Sequence, residues 1–302
     1  MNIRQLPGHR PALQRITAVS LACLLLAGTA HANRAFATPE EAMTTFGEAV
    51  NANDDAALKA MLGNGYRQFV PPPGAWVRER FVSAWAEGRT VRRDNEQHAT
   101  LVVGGDGWTL PIPLVQSKAG WTFDTVAGAE EMRVRRIGRH EVFTIETLRT
   151  VLDAQREYAE VDRDGDGVLQ YADRLVSSPK RHDGLFWPTV AGETPSPLGR
   201  AFVGAEARNA SPGGLLGYRY KLLAGQGRHA QGGAFDYRVR GKLFGGFAVV
   251  AYPVKYGDTG VMTFIMNHDG EVFQRDLGPG SAKQAAALSR FDPGPGWTQV
   301  TP

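Results

Sequence analysis

Apolar positions along this 302-residue chain change their period twice. After an opening apolar block, Ala42, Phe46 and Val50 recur at the four-residue interval of a helix. Thr38-Pro39-Glu40-Glu41 supplies its start, with Thr38 as cap, Pro39 in the first turn and Glu41 in the capping-box position. Asn53-Asp54-Asp55 predicts a second short helix, with Leu58, Met61 and Leu62 as its apolar face and Gly63-Asn64-Gly65 as its stop. A third helix is expected around Glu79 to Ala86, after the break at Pro71-Pro72-Pro73. The period then shortens to two. Ala99 to Val103, Thr109 to Val115 and Trp121 to Asp124 read as strands of an antiparallel meander, separated by the turn residues of 104–107 and 117–120.

From Ala129 the helical period returns, and Val142, Ile145, Leu148, Val151, Leu152 and Tyr158 predict the longest helix of the chain. An acidic loop at Asp162 follows, then a Pro- and Gly-rich irregular stretch from Ser177 to Gly214. Strands are expected at Tyr218 to Leu223, Phe235 to Val239, Phe247 to Pro253, Val261 to Asn267 and Val272 to Gln274. The fold class is α+β, with an N-terminal domain over 33–128 and a C-terminal domain over 129–302. The first half, helices followed by a curled hairpin sheet, resembles a nuclear transport factor 2-like cone. The second, one helix feeding an antiparallel sheet with the phrases Gly217 to Leu222, Ala251 to Gly257 and Phe264 to Val272, resembles the globular heads of type IV pilin-like proteins. The buried membrane helix of a pilin is missing from it.

The opening block has the layout of a secretory signal peptide. Arg4, Arg10 and Arg15 stand without an acid before the apolar run Ile16 to Ala27, and Ala30-His31-Ala32 places small residues where a signal peptidase cuts. Residues 1–32 are therefore expected to be removed by cleavage after Ala32, leaving a periplasmic or secreted protein. Cys23, the only cysteine, follows Ser20-Leu21-Ala22, a poor lipoprotein signal, so a lipid anchor is disfavoured and Cys23 reads as part of the apolar run. Losing this segment removes three of the 34 basic residues and no acid, which leaves 31 Lys plus Arg against 31 Asp plus Glu. The basic pI of the whole chain then gives no ground for a nucleic-acid partner. No later segment has the length of a membrane helix. The expected partner is a protein or an envelope component.

Phe36 to Ala42, Pro111 to Val115, Gly120 to Asp124, Asp153 to Tyr158, Asp183 to Pro188, Ser196 to Gly199 and Tyr256 to Phe264 resemble the bacterial domain-of-unknown-function 2950 family over nearly the whole chain after residue 32. The resemblance implies an exported bacterial protein and carries no catalytic residue with it.

The sharpest chemical signal is Asp162 to Asp173. Asp162, Asp164 and Asp166 stand at positions 1, 3 and 5 of a twelve-residue EF-hand-like loop, Gly167 at 6, Val168 at 7, Gln170 at 9 and Asp173 at 12. Calcium takes six to eight hard oxygens, and this spacing turns alternate carboxylates inward, with Val168 giving its carbonyl and Gln170 acting directly or through water. Asp173 replaces the long Glu usual at position 12, and no second such loop is evident, so affinity on the order of 0.1 to 1 mM is expected. The competing reading is an Asp/Gly-rich turn whose carboxylates cap backbone amides. Calcium is favoured because three crowded aspartates repel unless a cation neutralises them.

Enzymatic signals are thin. His98, His140, His182, His229 and His268 show no paired metal spacing, and Asn267-His268-Asp269-Gly270 reads as a hairpin turn. Phe186, Trp187 and Tyr218 are expected to fill a core in preference to lining a cleft. Two functions follow: a non-catalytic exported binding or assembly module with a structural calcium site, and, as the alternative, an envelope-polymer hydrolase working near His182, Asp183 and Trp187. The second requires those three side chains to converge in one open cleft.

Overall fold

Helix α1 (Pro39–Ala52) begins where its capping residues place it: Thr38 Oγ1 accepts the Glu41 N–H at 3.1 Å, and the Glu41 carboxylate accepts the Ala37 N–H at 3.0 Å. This is a computed structural model that describes residues 33–163, 165–189, 192, 194–199 and 213–301. Residues 1–32, where a signal peptide is expected and which include Cys23, and the loop residue Asp164 lie outside the described residues. Helix α2 (Asp55–Leu62) is capped by Asp54, which accepts the Ala57 N–H at 2.9 Å, while Asn53 ends α1 in the left-handed conformation. Helix α3 (Trp76–Glu87) reaches three residues further toward the N-terminus than expected. Its Arg78 is buried and donates to the Val50 carbonyl at 2.7 Å, Asn53 Oδ1 at 2.9 Å and the Pro71 carbonyl at 2.9 Å, so a guanidinium closes the C-terminus of α1.

Strands β1 (Arg89–Arg93), β2 (His98–Val103), β3 (Trp108–Thr109), β4 (Leu114–Ser117) and β5 (Gly120–Phe123) form an antiparallel sheet of order β1-β2-β4-β5, with β3 also on β2. The single strand expected from Thr109 to Val115 is two, because Pro111 and Pro113 have no N–H for the ladder. Phe46, Leu58, Met61, Leu101, Leu114 and Phe123 meet in one core between the helices and this sheet. Burying a side chain such as Phe46 contributes roughly 1.5 to 3 kcal/mol, so the pairing of α1 with the sheet needs no disulfide.

Helix α4 (Thr125–Tyr158) is 34 residues long and capped by Asp124, which accepts the Val126 and Ala127 N–H groups. It crosses position 128 without a break. Toward its start, Arg135 donates to the Thr109 carbonyl at 2.6 Å; further along, the Glu141 carboxylate accepts the Val261 and Met262 N–H groups at 2.9 and 3.0 Å. One helix is thus bonded to both sheets.

Beyond α4 come a parallel pair, β6 (Arg174–Val176) with β7 (Gly184–Phe186), and then β8 (Tyr218–Leu223), β9 (Gly225–Gln226), β10 (Phe235–Asp236), β11 (Arg238–Val239), β12 (Lys242–Leu243), β13 (Ala248–Pro253), β14 (Met262–Asn267), β15 (Val272–Asp276), α5 (Ser281–Ala287) and β16 (Thr298–Gln299). The main sheet is antiparallel in the order β16-β15-β14-β13-β8. Strand β13, between β14 and β8, is buried on both faces: Val249 and Ala251 join Leu148 and Val151 of α4 in one core, and Ala248 and Val250 join Ala285 and Phe291 in another. The run Phe235 to Val239 divides, β10 pairing with β9 and β11 with β12. The architecture is α+β, and among the described residues no helix is long and apolar enough to cross a membrane.

Candidate functional site

The exit of α4 and the loop after it are built around one buried amide. Gln155 lies on the apolar stripe of α4, fully buried, where it accepts the Ala172 N–H at 2.8 Å and donates to the Ala172 carbonyl at 3.1 Å. Two residues before the loop's last position, Tyr171 donates its N–H to the Leu243 carbonyl at 2.9 Å, which docks the β11–β12 hairpin against the loop. Tyr158, buried at the end of α4, donates its hydroxyl to the His182 carbonyl at 2.6 Å and ties the next turn of chain to the same helix.

Within the loop, the carboxylates draw backbone amides inward. Asp162 accepts the N–H groups of Gly165 and Gly167, each at 2.8 Å, and Asp166 accepts that of Val168 at 3.0 Å. Gly165 and Gly167 both hold positive φ, 75° and 82°, which glycine adopts without steric penalty. The hairpin adds cations to this anionic loop: Lys242 pairs with Asp166, and Arg238 pairs with Asp173 at both carboxylate oxygens. Of the sequence-predicted ligands, Asp162, Asp166, Val168, Gln170 and Asp173 are therefore placed in one loop, while Asp164 lies outside the described residues. Among the described residues, no three His, Cys, Asp or Glu side chains come together as a ligand group.

The donor set suits a hard cation in chemistry, since it is carboxylate and carbonyl oxygen throughout. The crowded charge is, however, already balanced by an ammonium and a guanidinium from the chain itself, which lowers the loop's need for an added cation. A cation taken up by the loop competes with Lys242 for Asp166 and with Arg238 for Asp173.

Next to the loop opens a cleft of about 560 Å³, to which Gln170, Asp173, His182 and Asp183 contribute. The His182 ring stacks on Trp187, with centroids 4.3 Å apart and 21° between planes. Trp187 itself is buried and donates its indole N–H to the Thr194 carbonyl at 3.3 Å, so it supports the cleft from beneath. Phe186 and Tyr218 are buried in the same core, as expected of them. Partial burial pushes the Asp183 carboxyl up, but the Ser178 N–H at 2.7 Å, the Ser178 hydroxyl and the guanidinium groups of Arg174 and Arg181 outweigh it and hold the group below the ordinary carboxylate value. Asp183 is ionised at neutral pH and tied to its own turn, which suits an anchor better than a proton donor.

Gln155, Lys242, Arg238 and Tyr158 carry much of this geometry and have no motif. Tyr158 could be read as part of the helix stripe, and Gln155 left a trace as a polar residue in register with Leu148, Val151 and Tyr158.

Residues 33–300 match the family model described as protein of unknown function (DUF2950). No curated protein and no solved structure matches the chain.

Proposed function

We propose that this chain, which belongs to the DUF2950 family of proteins of unknown function, is an exported, non-catalytic binding or assembly module whose C-terminal part is stiffened by a cation-neutralised loop. The observation that supports this reading is the loop itself. Asp162 gathers two glycine amides, Gln155 fixes the loop's far end to α4, and Lys242 and Arg238 bring a hairpin to its carboxylates. Calcium is the exogenous cation for which Asp162, Asp164, Asp166, Val168, Gln170 and Asp173 have the spacing. Bound there, it would supply charge neutralisation and nothing catalytic. Export rests on the first 32 residues, whose basic start, apolar run and Ala30-His31-Ala32 have the form of a cleaved leader.

Calcium titration of the purified protein, followed by calorimetry and thermal melting, tests the loop. The melting temperature is expected to rise at millimolar calcium and to stop responding in Asp162→Ala. Absence of heat and of any melting shift would reduce the loop to a turn held by Lys242 and Arg238. Export is tested separately by expressing the full chain in a bacterium and sequencing the N-terminus of the product, with Asn33 the expected first residue.

A second reading, a hydrolase of envelope polymers, has one observation in its favour, that His182 and Asp183 line the same open cleft, and one against it, that Trp187 is packed in the core and does not converge with them there. Because Asp183 is held ionised, proton donation would fall to His182, and His182→Gln would abolish turnover of a cell-wall polysaccharide. Undiminished turnover in that variant, or none in the parent, sinks this reading.

A further inference from the structure

We infer that the cleft beside the loop is an oxyanion site, taking a ligand that carries two or more phosphate or carboxylate groups. This rests on the reading of the chain as a binding module; the cleft borders the loop through Gln170, Asp173 and Lys242 but requires no calcium to be bound there.

The cleft wall is strongly cationic. Arg163, Arg174, Lys180 and Arg181 contribute to it, against the carboxylates of Asp173 and Asp183, while Lys242 on the same wall is already paired with Asp166. Neither carboxylate cancels this excess. Asp173 is engaged by Arg238, which comes from outside the cleft wall. Asp183 makes its closest contact with the Ser178 N–H at 2.7 Å and stands 3.5 Å from Arg181 and 4.0 Å from Arg174, distances that aim the guanidinium groups more than they consume them. Like charges collected around one concave space repel one another and focus their field on whatever enters it. A polyanion relieves that repulsion.

Two further observations point the same way. Lys180 sits at φ 63°, a left-handed conformation uncommon for any residue but glycine, and makes no ion pair among the described residues. The turn that imposes it, closed by the Arg181 N–H on the Ser178 carbonyl at 3.0 Å, holds Lys180 and Arg181 together at the cleft rim. Also on the cleft wall, the Arg163 guanidinium lies 5.2 Å from the Tyr158 ring and 5.3 Å from the Trp187 ring, and its Nε is buried without a hydrogen-bond partner. Aromatic faces fix such a guanidinium in one plane, which readies its fork for a bidentate oxyanion. The volume, about 560 Å³, is that of a small-ligand site and exceeds what one inorganic ion needs.

Titration calorimetry of the purified protein with inorganic pyrophosphate and with citrate tests the site, the two probes separating phosphate from carboxylate as the preferred group. Saturable binding of at least one is expected, weaker at high salt. The double variant Lys180→Ala, Arg181→Ala, both side chains exposed, is expected to weaken it about tenfold or more while leaving the circular dichroism spectrum unchanged. The variant Lys118→Ala, on the β4–β5 turn, is expected to bind like the parent. Absence of saturable heat with both probes, or binding that the double variant leaves intact, overturns the site. Neither result touches the loop, whose calcium response is read by melting in the absence of either anion.

Discussion

Gln155 and Ala172, 17 residues apart, are joined by a two-point amide contact in which the side chain of one imitates a strand partner for the backbone of the other. The pair is fully buried, so neither group has water to fall back on.

Replacing Gln155 by Leu keeps the volume and strands both backbone groups of Ala172. Each buried group left unpaired costs about 1 to 3 kcal/mol, so a loss of roughly 2 to 6 kcal/mol is expected in guanidinium unfolding at unchanged slope. A midpoint equal to that of the parent would mean that the contact contributes nothing to stability.

Arg78 plays the corresponding part in the first core. Arg78→Met removes three hydrogen bonds and leaves the Val50 carbonyl only the Asn53 N–H at 3.3 Å and the Pro71 carbonyl only Arg67 at 3.5 Å. A loss of about 2 to 4 kcal/mol is expected, with faster amide exchange in the last turn of α1 than elsewhere in that helix. Uniform exchange along α1 would argue against a capping role.

Alkaline pH offers a test on the C-terminal sheet. Burial, partly offset by hydrogen bonding with Thr144 and Thr147, raises the phenol of Tyr220 to about 12. Burial likewise raises Tyr218, with Glu141 adding to it, and Tyr237, with Asp269 adding to it. Native tyrosines keep protons that the unfolded chain loses above about pH 10, so this contribution is complete below pH 10 and disappears as pH climbs toward 12. The melting temperature should fall across that window, and less steeply in Tyr220→Phe.

Lys242 and an added cation compete for the same carboxylate. Lys242→Gln is expected to lower the calcium concentration at half-response by about two- to fivefold, the worth of one partly exposed ion pair. An unchanged or higher midpoint would show that calcium does not reach Asp166.

Much of the fold was legible because its signals are local. The cap of α1, the start and extent of β8 and the turn at Asn267 to Gly270 each follow from a few adjacent residues. Strand β1 escaped notice because Arg89-Thr-Val-Arg-Arg is an exposed edge whose pattern shows no apolar alternation. β6 and β7 are short, and their parallel pairing joins Arg174 to Gly184, a contact that no local periodicity encodes. The site divides along the same line. The acidic spacing of the loop could be read directly, whereas the cations that answer it, Arg238 and Lys242, arrive from a hairpin some 70 residues later and are visible only once the chain has folded.

Helix α4 has a mechanical meaning as well as a structural one. At 1.5 Å per residue its 34 residues make a strut of about 51 Å, pinned to the first sheet through Arg135 and to the second through Glu141. A load applied to one half of the molecule travels to the other along a stiff rod, with no slack tether between them to absorb it. Pulling the halves apart therefore requires shearing those pins or unwinding the rod itself.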